Sequence, residues 1–286
     1  MTNAKQTMSA NQLPLELPSQ LPQHPLHQAR SEAPLYRSVN PRIGCAGWSI
    51  PRIARDLIPN AGTHLQQYAS QFSAVEINSS FYRPHKRATY ERWRASTPDT
   101  FSFAVKIPKT ITHELKLINS GELFETFLQQ ASGLGEKLGC LLVQLPPSFA
   151  FDSAVVRAFA EELRARHDGA VAIEPRHASW FSDDANALET EFQLSRVAAD
   201  PAVVPQAATT GGFRNTVYYR LHGSPRTYYS SYSSDYLLGI AQALQQHVTD
   251  GANSWCIFDN TALGAATLNA LELMQNPLTR DSARSD

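Results

Sequence analysis

Eight short apolar runs, each closing on charged or amide residues, constrain this chain more than any other feature. They are Arg42–Trp48, Ala74–Ser80, Phe101–Pro108, Gly139–Pro146, Ala170–His177, Ser195–Asp200, Val217–Gly223 and Ser254–Asn260. Between most of them, apolar residues recur at helical spacing. Examples are Leu123, Phe124, Phe127, Leu128 and Ala131, and then Val155, Val156, Phe159, Ala160 and Leu163 behind Asp152, a residue suited to cap a helix. Leu237, Ile240, Ala241 and Leu244 form a third set, and Leu263, Ala266, Ala270, Leu273 and Met274 a fourth. After the sixth run only a short turn near Pro205–Thr210 is expected. Strand and helix in alternation imply a parallel sheet. Eight such units in 286 residues predict an α/β fold, a single (β/α)8 barrel with an irregular sixth unit, rather than an open doubly wound sheet. No GxGxxG follows the first run, which argues against a dinucleotide-binding sheet.

In a strand, side chains two apart share a face. The second run therefore sets Glu76 and Asn78 opposite Val75 and Ile77, and the third aligns Lys106 with Ser102 and Ala104. The fourth supplies Gln144, the fifth Glu174 and Arg176, the sixth Asp200, and the seventh Arg220 and His222. The eighth ends in Asp259 and Asn260, one on each face. Charges are rarely buried in strands without a partner. Here they gather late in strand after strand, at the end where barrels of this kind carry their active sites. That step is an argument from fold analogy as well as geometry. The opposing reading is a structural network, in which Glu76, Glu174 and Asp200 neutralise Lys106, Arg176 and Arg220.

The ends of the chain differ from this frame. Residues 1–40 are rich in Pro and Gln and carry no helical or strand pattern, so a disordered extension is expected there. The domain is expected over residues 41–276, with a frayed tail over 277–286. The cysteines, Cys45, Cys140 and Cys256, are odd in number and form no CxxC pair, so they read as buried reduced thiols. Residues 1–40 show no signal peptide and no run approaches a membrane span, so a cytoplasmic protein with no membrane partner is expected. A formal net charge of −1 argues against bulk attraction to nucleic acid while leaving room for a local basic patch.

A set of ordered motifs adds a resemblance. They are Gly44-Cys45-Ala46-Gly47-Trp48, Val75-Glu76-Ile77-Asn78-Ser79-Ser80-Phe81-Tyr82, Phe103-Ala104-Val105-Lys106 and Thr112-His113. Gln144-Leu145-Pro146-Pro147-Ser148-Phe149, Glu174-Pro175-Arg176-His177, Ser179-Trp180, Arg220-Leu221-His222-Gly223, Asp259-Asn260-Thr261 and Asn269-Ala270 follow. Over about residues 42–275 the chain resembles the YecE-like family, known as domain of unknown function 72. The resemblance implies a (β/α)8 barrel and names no reaction. Two departures stand at the expected mouth: Ser49–Ala54 replaces a segment usually rich in aromatics, and Asp259 stands where Asn is common.

The residue types fit several chemistries. Lys106, Arg176 and Arg220 suit an anionic group, because guanidinium binds phosphate or carboxylate through paired hydrogen bonds. Glu76, Glu174, His177, Asp200 and His222 are the candidates for proton transfer. Trp48, Asn78, Tyr82, Lys106, His113, Gln144, Arg176, Arg220 and Asn260 are the candidate ligand contacts. The leading expectation is an enzyme that takes a phosphorylated sugar, nucleotide or nucleic acid, with phosphate-ester hydrolysis as one chemistry these groups could serve. A divalent-metal phosphodiesterase or isomerase resembling endonuclease IV or xylose isomerase is a second reading, although no HxxxH or HxE spacing supports it. Paired-carboxylate glycoside hydrolysis ranks lower, since the fourth and seventh strands end in Gln144, Arg220 and His222. Non-catalytic binding of a ligand or nucleic acid is a further alternative, drawing on Arg226 and the tyrosines Tyr228, Tyr229 and Tyr232. No phosphate loop, cysteine nucleophile or GxSxG elbow is present, and the sequence names no cofactor.

Overall fold

The computed structural model describes residues 40–280. The N-terminal extension, Asn40 apart, and residues 281–286 lie outside them. Ten strands form one sheet: β1 Arg42–Ala46, β2 Ala74–Ile77, β3 Ser102–Lys106, β4 Leu138–Gln144, β5 Val171–Glu174, β6 Leu194–Arg196, β7 Ala198–Asp200, β8 Gly211–Gly212, β9 Thr216–Leu221 and β10 Asn253–Phe258. Their order is β7-β9-β10-β1-β2-β3-β4-β5-β6-β8, and every pair is parallel except β6 with β8. The expected sixth strand is thus two pieces separated by Val197. Its first half pairs with β5 and its second with β9, so this single run joins the two ends of the sheet into a barrel. The irregularity of the sixth unit is real: a short 3₁₀ turn, Pro205–Ala208, stands where other units carry a helix.

Eight α-helices accompany the strands: α1 His64–Ala69, α2 Ser79–Tyr82, α3 Arg87–Ala95, α4 Gly121–Ala131, α5 Ser153–Arg164, α6 Asp183–Glu191, α7 Ser234–Thr249 and α8 Ala265–Gln275. Asp152 caps α5 by accepting from the backbone N–H groups of Ala154 and Val155. The apolar faces legible in the sequence are the buried ones, Phe124, Phe127 and Ala131 on α4 and Val156, Phe159, Ala160 and Leu163 on α5. The described part of the expected tail is structured. Pro277–Thr279 forms a 3₁₀ turn, and buried Thr279 donates its hydroxyl to the Leu273 carbonyl at 2.6 Å.

Two apolar layers result. One lies between sheet and helices. The other fills the barrel and includes Ala74, Ala104, Cys140, Ala172, Tyr218 and Trp255. Tyr218 and Trp255 stack with ring centroids 5.9 Å apart. The small residues of β2, β3 and β5 leave room for these two large rings, so the barrel floor is packed and solid. Gly44 is required by close approach rather than by its dihedrals. A Cβ there would meet the Ala74 carbonyl oxygen at 1.9 Å and the Tyr68 hydroxyl at 2.8 Å. That hydroxyl accepts from the Cys45 N–H at 2.7 Å and donates to the Ala74 carbonyl at 2.9 Å, which ties α1 to both β1 and β2.

Candidate functional site

Above the Tyr218–Trp255 floor, the next inward-facing positions of the strands carry the polar residues. Arg220 of β9 is the hub. It is 1% exposed, and its Nε donates to Glu76 Oε2 at 3.0 Å while its Nη2 donates to Glu76 Oε1 at 2.7 Å. Its Nη1 reaches Glu174 Oε2 at 3.1 Å, and Nη2 lies 3.1 Å from Asp259 Oδ2. Tyr218 donates its hydroxyl to Glu76 Oε2 at 2.9 Å. Gln144 donates from Nε2 to Glu174 Oε2 at 3.0 Å, and Arg176 donates from Nε to Glu174 Oε1 at 2.8 Å. His222 sits between two carboxylates, with Nε2 at 2.9 Å from Glu174 Oε1 and Nδ1 at 2.9 Å from Asp259 Oδ2.

Charge decides what these groups can do. Burial alone would raise the Glu174 carboxyl, but Arg220, Arg176 and His222 beside it hold it well below the ordinary carboxylate range. Burial likewise opposes ionisation of Asp259, and Arg220 and His222 hold it low. Glu76 and Glu174 also accept hydrogen bonds on both oxygens. Glu174 and Asp259 are therefore ionised and poorly placed to release or take a proton at neutral pH, while Glu76 and Glu174 aim guanidinium groups.

Lys106 is different. It is 6% exposed at the end of β3, and among the described residues its Nζ makes no hydrogen bond or ion pair. Its ammonium rests 4.1 Å from the centroid of the Phe81 ring. Burial and neighbouring Arg220 push its pKa down to about 8, against the pull of Glu76, Glu174 and Asp259. His113 stands close by, carried on a single π-helical turn, Thr110–Glu114, that follows β3. Its ring meets Phe81 edge-on at 4.9 Å, and its Nδ1 pairs with the Thr112 hydroxyl at 2.9 Å. Burial, Lys106 and Arg176 lower its pKa, so the imidazole is neutral at pH 7. Arg176 keeps Nη1 without a hydrogen-bond partner among the described residues, and its side chain is 22% exposed. Lys106 and Arg176 thus supply donors unused among the described residues, and His113 an Nε2 without a partner among them.

Several expected residues stand apart from this cluster. Asp200 accepts from the Tyr232 hydroxyl at 2.8 Å, and the same hydroxyl accepts from the Gly223 N–H at 2.7 Å, so Asp200 braces the loop after β9. His177 pairs through Nδ1 with the Ser179 hydroxyl at 2.8 Å and caps the turn Ala178–Phe181. Trp48 packs edge-on against Trp93 at 5.0 Å. Asn260 is fully buried and ties the Ser230 carbonyl to Asn269, although its Oδ1 has no partner among the described residues. Tyr82 is 72% exposed at the rim. Asn78 lies at the end of β2 with a buried, unpartnered Oδ1. Tyr218 is in the network but is not among the residues the sequence nominates for the site, whereas the sequence already sets Asp259 at the mouth. The spacing Tyr218, Arg220, His222 is the signal that finds Tyr218, since all three share the inward face of β9.

The donor set does not suit a metal ion. The carboxylate oxygens that would ligate it are committed to guanidinium and imidazole groups. Among the described residues, no group of three or more His, Cys, Asp or Glu side chains is arranged to hold one.

A profile of the family described as "Protein of unknown function DUF72" matches residues 42–283. The chain belongs to the DUF72 family. Relatives of this DUF72 protein include the UPF0759 protein YecE of Escherichia coli strain K12, 33% identical over 141 residues that cover 49% of this chain and 50% of the relative. The UPF0759 protein YunF of Bacillus subtilis strain 168 is 30% identical over 146 residues, covering 49% of this chain and 52% of that one. The chain spans about half the length of the curated relatives it matches. Solved structures agree on the fold. A DUF72 family protein from Thermotoga maritima MSB8 superposes with a TM-score of 0.66 at 25% identity, covering 81% of this chain and 96% of that chain. One from Enterococcus faecalis V583 also gives 0.66, at 23% identity, covering 82% and 94%. The barrel expected from strand alternation is the fold of this family.

Proposed function

We propose that this DUF72 protein is an enzyme whose barrel mouth receives an anionic group, a phosphate or a carboxylate, between Lys106, Arg176 and His113. The observation that carries this reading is Lys106, a side chain only 6% exposed whose ammonium has no hydrogen bond or ion pair among the described residues, in a cluster whose other cations are matched by carboxylates. A buried cation without a partner is costly, and an anion arriving there would supply the missing hydrogen bonds. Glu76 and Glu174 serve this site indirectly, by fixing Arg220 and Arg176. Neutral His113 is the group best suited to move a proton, because Glu174 is held ionised and both Glu76 oxygens are taken by Arg220 and Tyr218. Asn78 offers an acceptor to a hydroxyl on the same ligand. A phosphorylated sugar or nucleotide combines these features.

A second reading, contact with a nucleic-acid strand, is favoured by one feature of the rim. Arg226 lies 3.9 Å over the Tyr229 ring, and Tyr82, Tyr228 and Tyr229 are exposed. Among the described residues no helix is long and apolar enough to cross a membrane. The free buried thiols Cys45, Cys140 and Cys256 support a reducing, cytoplasmic location.

Thermal-shift measurements at constant ionic strength test the reading. Phosphorylated sugars and nucleotides are expected to raise the melting temperature, their unphosphorylated forms are not, and Arg176→Ala removes the difference. Equal shifts for both forms would refute an anion site. Oligonucleotide binding that falls steeply with salt and needs Tyr229 would favour the second reading.

A further inference from the structure

Among the charged side chains of the mouth, Lys106 alone is both buried and without a hydrogen-bond acceptor within the described residues. Arg220 keeps its proton, whereas an amine desolvated by burial beside that guanidinium is disposed to lose one. Phe81 joins two groups, with Lys106 Nζ over its ring and the His113 imidazole against it edge-on. Arg176 offers an unused Nη1 nearby, and its charge acts on His113. A nucleophile and a proton carrier therefore meet the same Phe81 ring, and the charge of the anion anchor reaches the proton carrier.

We propose that Lys106 is an amine nucleophile that forms an imine with the carbonyl carbon of an anionic oxo compound, its carboxylate or phosphate being held by Arg176. The proposal rests on the anion-binding reading above and names the substrate class of that same site. The Nζ lone pair attacks the carbonyl carbon, a C–N bond forms, and the C=O π electrons move to oxygen. His113 carries a proton from nitrogen to that oxygen to give the carbinolamine. His113, which took up the proton the Lys106 ammonium lost before attack, returns that proton to the hydroxyl as the C–O bond breaks, so that water leaves and the protonated imine remains. An ammonium and a carbonyl thus become an iminium and water, and charge is conserved. The lowering of the Lys106 pKa to about 8 leaves a useful share of free amine at neutral pH, which an exposed lysine does not have.

The full chain is treated at pH 7 with glyoxylate and cyanoborohydride, and the labelled lysine is located by peptide mass spectrometry. Lys106 is expected to be alkylated at least about tenfold faster than exposed Lys86, and inorganic phosphate is expected to slow the reaction. Lys106→Arg should abolish that label while keeping a phosphate-dependent thermal shift, its fold being checked by its denaturation midpoint. Labelling spread evenly over surface lysines overturns the imine, and the wild-type phosphate shift then says whether the anion pocket survives without it. Labelling of Lys106 that phosphate does not slow overturns the assigned substrate class.

Discussion

Arg220 and Glu76 meet through both nitrogens of one guanidinium edge and both carboxylate oxygens, with contacts of 2.7 and 3.0 Å and neither side chain more than 1% exposed. The pair stands directly above the stacked rings that close the barrel floor. It therefore links the packing of the barrel to the charge pattern of its mouth.

Removing one partner leaves the other charged and buried. Arg220→Met is expected to cost about 3–5 kcal/mol, since Glu76 and Glu174 both lose a donor. Arg220→Met with Glu76→Gln should recover part of that loss. Urea denaturation of the two variants checks this. An Arg220→Met midpoint equal to the wild type would mean the network contributes nothing to stability.

Lys106 acts in the opposite sense. The unfolded lysine keeps its proton up to its ordinary value of 10.5, while the folded one loses it near 8. The folded state is therefore penalised below pH 8, and the penalty fades as pH rises toward 10.5. Lys106→Met is expected to stabilise the protein by about 1–3 kcal/mol at pH 7 and by less at pH 10, while weakening anion binding. Denaturation midpoints at the two pH values provide the readout, and a destabilised variant at pH 7 contradicts it.

Glu174 and Asp259 are held below their ordinary values in the folded state. Their contribution is fully present above about pH 5 and is lost as pH falls through their folded values. Glu174→Gln should flatten the acid limb of the stability profile between about pH 5 and pH 2. Unchanged steepness in the variant would assign that limb to other carboxylates.

The Gly44 backbone touches β2 too closely for any side chain. Gly44→Ala must push β1 away from the Ala74 carbonyl and the Tyr68 hydroxyl, at an expected cost of about 2 kcal/mol or more. Tyr68→Phe removes two hydrogen bonds at the same place and should cost about 1–3 kcal/mol. Thermal melts of both variants decide the point, and a neutral Gly44→Ala would deny the close approach.

The strands were legible because each is a short apolar run ending in polar residues, and period-two counting correctly aligned Lys106 with Ala104 and Glu174 with Ala172. The division of Leu194–Asp200 was not legible, because the change of partner at Val197 depends on barrel closure rather than on local pattern. Sequence grouped Asp200 and His177 with the site because they also end strands. Their partners, Tyr232 and Ser179, lie on neighbouring loops whose course no spacing reveals. Whether a carboxylate donates protons or aims an arginine depends on how many of its lone pairs are taken. For Glu174 that count involves four residues on or just past three strands, β4, β5 and β9.

The central claim is that the mouth is an anion site. Titration calorimetry with inorganic phosphate at fixed ionic strength tests it most directly, using wild type, Lys106→Met and Arg176→Ala. One saturable site is expected in the wild type, weakened about tenfold or more in each variant. No saturable binding in the wild type, or binding that both substitutions leave unchanged, would contradict the claim.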